Sequence, residues 1–144
     1  MSQSAEARLS LRADPDAAAR ACAFAEEFAS AQAIASDELA RVLVVVEELV
    51  TNIVKYGYPP PVRPGAAEIT LRLADGELGI EIVDDGRAFD PFAAPEPDLA
   101  APLEEREPGG LGLYIVRSLM DRTRYRREGG HNVVEAWRRI ASAR

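Results

Sequence analysis

The sequence predicts an α/β fold, a two-layer sandwich whose mostly antiparallel, mixed sheet carries its helices on one face. Three observations lead there. Apolar residues recur at helical spacing in two segments before Gly57. Strand-like alternation comes in pairs joined by two-residue turns, and hairpins make antiparallel ladders. The elements run strand, helix, helix, hairpin, long loop, helix, hairpin, and 144 residues with 47% hydrophobic content suit one domain over 1–144.

The stretch "EARLSLRA" alternates at Leu9 and Leu11 and reads as an edge strand. "DPDAAARACAFAEEFAS" reads as a helix, with Asp14 as its cap, Pro15 at the first helical position and Ala21, Phe24, Ala25 and Phe28 on its apolar face. The second helix is predicted from Ser36, its N-cap, to Tyr56, with Asp37 and Glu38 in the positive first turn. Leu39, Val42, Leu43, Val46, Leu49, Val50 and Ile53 recur at three and four residues. The run "VLVVVEELV" alone would pass for a buried strand, because valine favours strands; length and the unbroken period decide for helix. Gly57 and the prolines at 59–61 end it. In "AEITLRLADGELGIEIVDDG", Ile69, Leu71 and Leu73, then Leu78, Ile80 and Ile82, flank the hairpin turn Asp75-Gly76. From Arg87 to Pro108 the chain is rich in proline, alanine and acid, without periodicity; loops of that length are usually functional or disordered. "GGLGLYIVRSLMD" opens a third helix on glycines, and "RTRYRREGGHNVVEAWRRI" closes as a hairpin turning near Gly129-Gly130.

A net charge of −7 and a pI near 4.8 argue against direct nucleic-acid binding, which needs a basic face. The one cysteine, Cys22, can form no intrachain disulfide and reads as a small buried hydrophobe in a reducing compartment. The start shows no secretory signal, and the longest aliphatic run, Val42 to Val46, is far too short for a membrane span. The expected address is cytoplasmic, with no membrane partner. Arg122, Arg124, Arg126 and Arg127 read as a solvated edge strand guarded by charge. Trp137 and Met120 are expected in the core.

Three clusters carry chemistry. Glu48 and Asn52 stack on one helix face, flanked by Thr51 and Lys55. A carboxylate, a carboxamide oxygen and an ammonium suit a Mg²⁺–phosphate group, with Glu48 as a proton acceptor. The bland alternative is a solvated stripe with a Glu–Lys pair. Asp84 ends an apolar strand and Gly86 lets the backbone turn, so a base amino group could meet the carboxylate; a plain Asp-Gly turn is the alternative. Gly109, Gly110 and Gly112 open a helix whose free N–H groups can hold phosphate, or merely loosen it. Neither the P-loop pattern nor the dinucleotide glycine spacing occurs.

In this order, "EELVTNIVKYGY", "DDGRAFDP" and "PGGLGLYIVRSLMD" resemble the N, G1 and G2 boxes of the GHKL ATPase superfamily. With "YRREGGHN", the wording is most similar to the anti-sigma-factor serine kinase branch of the RsbW and SpoIIAB type, from about residue 8 to 140. The resemblance implies a Bergerat-type ATP-binding fold with ATP and Mg²⁺ as cofactors. It implies that Asn52 is the Mg²⁺ ligand, Glu48 the general base and Asp84, with Gly86 beside it, the adenine contact. Gly110, Leu111 and Gly112 would border the phosphates, and Lys55 matches a basic position of histidine kinases. Residues 87–108 would form the ATP lid, with Arg106 reaching the γ-phosphate. The implied activity is phosphorylation of a serine or threonine on a STAS-domain anti-anti-sigma protein, with sequestration of a sigma factor in a partner-switching module, by a protein that is commonly a homodimer. Where relatives place a threonine near the adenine, this chain has His131 and Asn132, so a hydroxyl contact to the base is not expected. His131 itself reads as a surface turn residue. Three rivals are an ATP-binding regulator without kinase activity, a detached histidine-kinase catalytic domain and a simple interaction domain that binds no nucleotide.

Overall fold

A computed structural model describes residues 4–58, 65–93 and 110–140. Its elements are β1 (Ser4–Arg12), α1 (Ala17–Ala31), α2 (Ser36–Asn52) running into a π-helical turn (Ile53–Gly57), β2 (Ala66–Ala74), β3 (Glu77–Asp84), α3 (Gly110–Leu119), β4 (Arg122–Glu128) and β5 (His131–Arg139). The five strands lie in the order β1-β2-β3-β5-β4, and every neighbouring pair is antiparallel. No parallel pair makes the sheet mixed among the described residues.

Both hairpins turn on two residues with positive φ, Asp75 and Gly76 at 52° and 79°, and Gly129 and Gly130 at 56° and 79°. That geometry matches the right-handed twist of the flanking strands and fixes the register at Ala74↔Glu77 and Glu128↔His131. Ile69, Leu71, Leu78, Ile80, Ile82, Val134 and Ala136 then point one way. They pack with Ala21, Ala25 and Phe28 of α1, Val45, Val46 and Leu49 of α2 and Val116 of α3 in one core. The helices therefore share one face of the sheet.

The opposite face bears charge. Arg72 pairs with Glu6 at 2.8 Å, Arg122 with Glu77 at 2.9 Å and Arg126 with Glu128 at 2.7 Å. Trp137 lies here, not in the core: Ala136 is turned inward and fully buried, so its neighbour faces out, half-buried under the Arg122 guanidinium at 4.2 Å. A Cβ on Gly79 would stand 3.2 Å from the Trp137 ring, so the glycine makes room for it. Met120 is buried as expected. Cys22 is half-buried, with its Sγ 3.9 Å from the Leu43 carbonyl, and burial pushes its thiol pKa up.

Three local expectations shift. Asp14 does not cap α1. The helix starts at Ala17 behind Asp16, and the Asp14 carboxylate accepts the Asp16 N–H at 2.9 Å and the Arg20 guanidinium at 3.0 Å. Ser36 is the first residue of α2, and Ala35 holds the cap position in extended conformation. The α-helical part of α2 stops at Asn52, and the π-helical turn carries the chain on to Gly57. Beneath the helices, Glu38 at the start of α2 is buried (7% exposed) and accepts from Arg138 Nε at 2.8 Å, while Arg138 Nη1 donates to Leu119 O at the end of α3. This ties both helices to β5.

Candidate nucleotide site

The polar line of α2 divides when folded. Glu48 is half-buried, Asn52 is buried (5% exposed), and Thr51 and Lys55 are exposed. A π-helical turn widens the helix and rotates the residues beyond it, and such turns often sit at functional positions. Beginning one residue after Asn52, it sets the Lys55 Nζ 5.2 Å from the Tyr56 ring centroid. No ion pair joins Glu48 to Lys55 among the described residues. Tyr56 in turn stacks on Phe89, with centroids 4.8 Å apart.

Asn52 Nδ2 is a buried side-chain atom without a hydrogen-bond partner among the described residues. An unpaired buried amide costs about 1–3 kcal/mol, so its retention needs a reason. A half-turn of the amide would present oxygen at the same place, and a neutral oxygen suits a hard cation. No cluster of three His, Cys, Asp or Glu side chains forms a metal cage among the described residues. Asn52 is the residue that could hold Mg²⁺ here.

α3 closes on α2 beside this amide. A Cβ on Gly112 would lie 2.5 Å from Glu48 Cδ and closer still to Oε2. Gly112 is thus the residue that lets the start of α3 reach the carboxylate. The backbones of Gly110 and Leu111 open the same helix. Arg106 and residues 94–108 of the expected lid lie outside the described residues.

Asp84 ends β3 and is buried (2% exposed). Its Oδ1 accepts the Gly86 N–H at 2.9 Å and Asn132 Nδ2 at 3.0 Å. Burial pushes the carboxyl pKa above the ordinary range, and the two donors work against that rise. Gly86 is demanded by a close approach: a Cβ there would meet Gly57 O at 2.7 Å, and Arg87 N–H donates to the same carbonyl at 3.1 Å. The end of the α2 segment and the turn after Asp84 therefore interlock backbone to backbone.

Sequence reasoning missed a second latch. The Tyr58 hydroxyl donates to Asp85 Oδ1 in a short contact and receives the Asp85 N–H at 3.1 Å, while Ala66 N–H also reaches Asp85 Oδ1 at 3.3 Å. The Tyr58 hydroxyl holds the Asp85 carboxyl below the usual range, and burial raises the phenol. Only the proximity of Tyr58 to Asn52, and of Asp85 to Asp84, hinted at it. Arg127 also parts from the other β4 arginines: alternation turns it to the helix-bearing face, where, though exposed, it donates to Gly86 O at 2.8 Å. His131 is exposed at the hairpin turn, with Nδ1 3.0 Å from Gly129 O.

The geometry brings together Glu48, Asn52 and Gly112 at one end of α2, and Asp84, Gly86 and Asn132 beyond it. The family model for the histidine kinase-like ATPase domain matches residues 11–137. The serine/threonine-protein kinase BtrW of Bordetella bronchiseptica is 38% identical over 86 residues, covering 60% of this chain and 60% of that protein. The serine-protein kinase RsbW of Staphylococcus epidermidis is 32% identical over 100 residues, covering 65% and 62%. These matches span less than two thirds of the curated relatives' own length. Among solved structures, the RsbU and RsbW domains of a Mycobacterium tuberculosis protein superpose with a TM-score of 0.68 at 20% identity, over 94% of this chain and 32% of that one. The histidine kinase domain of a blue-light activated kinase from Erythrobacter litoralis does so with a TM-score of 0.51 at 19% identity, over 85% and 59%. Both likenesses establish the α/β fold.

Proposed function

The chain belongs to the histidine kinase-like ATPase domain family, and from that premise we propose that it is an ATP- and Mg²⁺-dependent serine/threonine kinase that acts as an anti-sigma factor. Its protein substrate is a STAS-domain anti-anti-sigma antagonist, and its other partner is a sigma factor. The observation that carries the reading is the amide of Asn52, buried at the end of α2 with no partner for its nitrogen among the described residues, where it costs stability. The names of the relatives, serine and serine/threonine kinases, support the acceptor chemistry.

In this reading Asn52 would hold the cation, whose charge would offset that of the phosphates. Glu48 orients the acceptor hydroxyl and takes its proton as the hydroxyl oxygen bonds to the γ-phosphorus. The bond from that phosphorus to the bridging oxygen breaks, and ADP leaves. Gly110, Leu111 and Gly112 bring backbone N–H groups to the phosphates. Asp84 accepts the amino group of adenine beside Gly86. Lys55 and Arg106 would supply positive charge. Phosphorylation weakens the antagonist's hold and frees the kinase to take up the sigma factor, as a homodimer in the cytoplasm.

The test is incubation with Mg-ATP and a STAS-domain antagonist, followed by intact mass. The antagonist gains one phosphate with the wild type and none with Glu48→Gln, which still binds ADP. A wild type that binds ATP but transfers nothing would leave a regulator that works by docking alone.

A further inference from the structure

Asn132 stands in register opposite Asp84 across β3 and β5 and is 2% exposed. Its Nδ2 donates to Asp84 Oδ1 at 3.0 Å and to Arg87 O at 2.9 Å. Its Oδ1 receives the Tyr125 hydroxyl at 2.6 Å, Arg127 Nη1 at 3.1 Å and the Phe89 N–H at 3.3 Å. A carboxamide has two donor hydrogens and two acceptor lone pairs, so none is left for a ligand. Three donors on one side and two acceptors on the other also leave no doubt about which end is nitrogen. On Asp84, Oδ1 is occupied by Asn132 and the Gly86 N–H, and no described residue donates to Oδ2.

Resting on the adenine-nucleotide reading above, we infer that Asn132 is a positioning residue: it engages Oδ1 of Asp84 so that Oδ2 alone faces the exocyclic amino group of the base. The contact does two things. It fixes the rotation of a carboxylate that would otherwise turn about its last bond. It also favours the ionised form, because an amide N–H can only donate. A protonated Asp84 would present a donor to the amino group and lose the contact. Of the charged groups around the pair, Asp85 opposes ionisation of Asp84 and Arg127 favours it. Tyr58 and His131 act on Asp85. Tyr125 and Arg127 of β4 make their hydrogen bonds to the Asn132 oxygen and, for Arg127, the Gly86 turn.

The decisive variant is Asn132→Asp, assayed by calorimetric ADP titration in a His131→Gln background that removes the neighbouring imidazole. The new carboxylate still accepts from Tyr125, Arg127 and Phe89 but meets Asp84 with an oxygen. At about pH 8.5 ADP affinity should fall about ten- to a hundredfold. On acidification to about pH 6 the two carboxylates share a proton, the donor returns, and most of the affinity should recover. The parent gains nothing on acidification. Should Asn132→Asp fail to fold, Asn132→Ser reads the same contact through the ADP-to-GDP preference, which should shrink about tenfold while GDP affinity holds. A folded Asn132→Asp that binds ADP like its parent at both pH values, a loss identical at both, or an unchanged preference in Asn132→Ser would overturn the role of Asn132 alone. A parent that binds no ADP would overturn the nucleotide reading and this inference with it.

Discussion

Gly112→Ala separates the position of Glu48 from the stability of the fold. Gly112 has no positive φ, so alanine suits its backbone, and in a helix the exchange gains about 0.8–1 kcal/mol of propensity. The new Cβ would lie 2.5 Å from Glu48 Cδ, whereas carbons rest at about 3.5 Å, so the carboxyl must move roughly 1 Å. Glu48 is only half-buried and can turn away at a rotamer cost of about 1 kcal/mol. The two energies nearly cancel, and the melting temperature should stay within about 3 °C of the wild type. Transfer chemistry has no such tolerance: a misplacement of about 1 Å costs roughly a hundredfold in rate. The assay is phosphate transfer to the antagonist by intact mass, with a thermal melt and an ADP titration alongside. In a Glu48→Gln background Gly112→Ala should cause no further loss, because both changes act on one carboxylate. Transfer by Gly112→Ala within about threefold of wild type would refute the reasoning.

Arg138→Met leaves Glu38 buried with Arg41, at 3.4 Å, as its one ion-pair partner among the described residues, and uncaps Leu119 O; it should cost about 3 kcal/mol, or roughly 10 °C in melting temperature. Asn52→Leu removes the unpaired buried amide at similar volume; it should melt a few degrees higher while losing Mg²⁺-dependent nucleotide binding by calorimetry. Asp84→Asn should also bind no ADP. Because burial raises the Asp84 carboxyl pKa, its ionisation costs stability at neutral pH, and that cost disappears as pH falls through the raised value. Asp84→Asn should therefore melt above wild type near pH 7, and the gap should close as the wild type protonates towards about pH 4. A gap that widens on acidification would contradict the assignment of burial as the cause.

Much of this molecule was legible in the order of its residues. Apolar spacing is local, and so are glycine turns; together they announced the helices, both hairpins and the antiparallel sheet. Spacing also placed Glu48 and Asn52 on one face, since four residues bring side chains into line whatever surrounds the helix. The wording of the three boxes pointed to the family. Where local signals end, the expectations slipped. One step of strand alternation put Trp137 on the open face and turned Arg127, still exposed, towards the Gly86 carbonyl.

What only the tertiary structure decided is which distant groups meet. Asn132 reaches Asp84 because β5 inserts between β3 and β4; Tyr58 meets Asp85 because Gly57 and Gly86 permit backbone contact; Gly112 reaches Glu48 because α3 lies on α2. Partners such as Glu38 and Arg138, 100 residues apart, have no shared period to betray them. Strand order and helix packing depend on how the whole apolar surface is buried at once, and that sum is not written in any one segment.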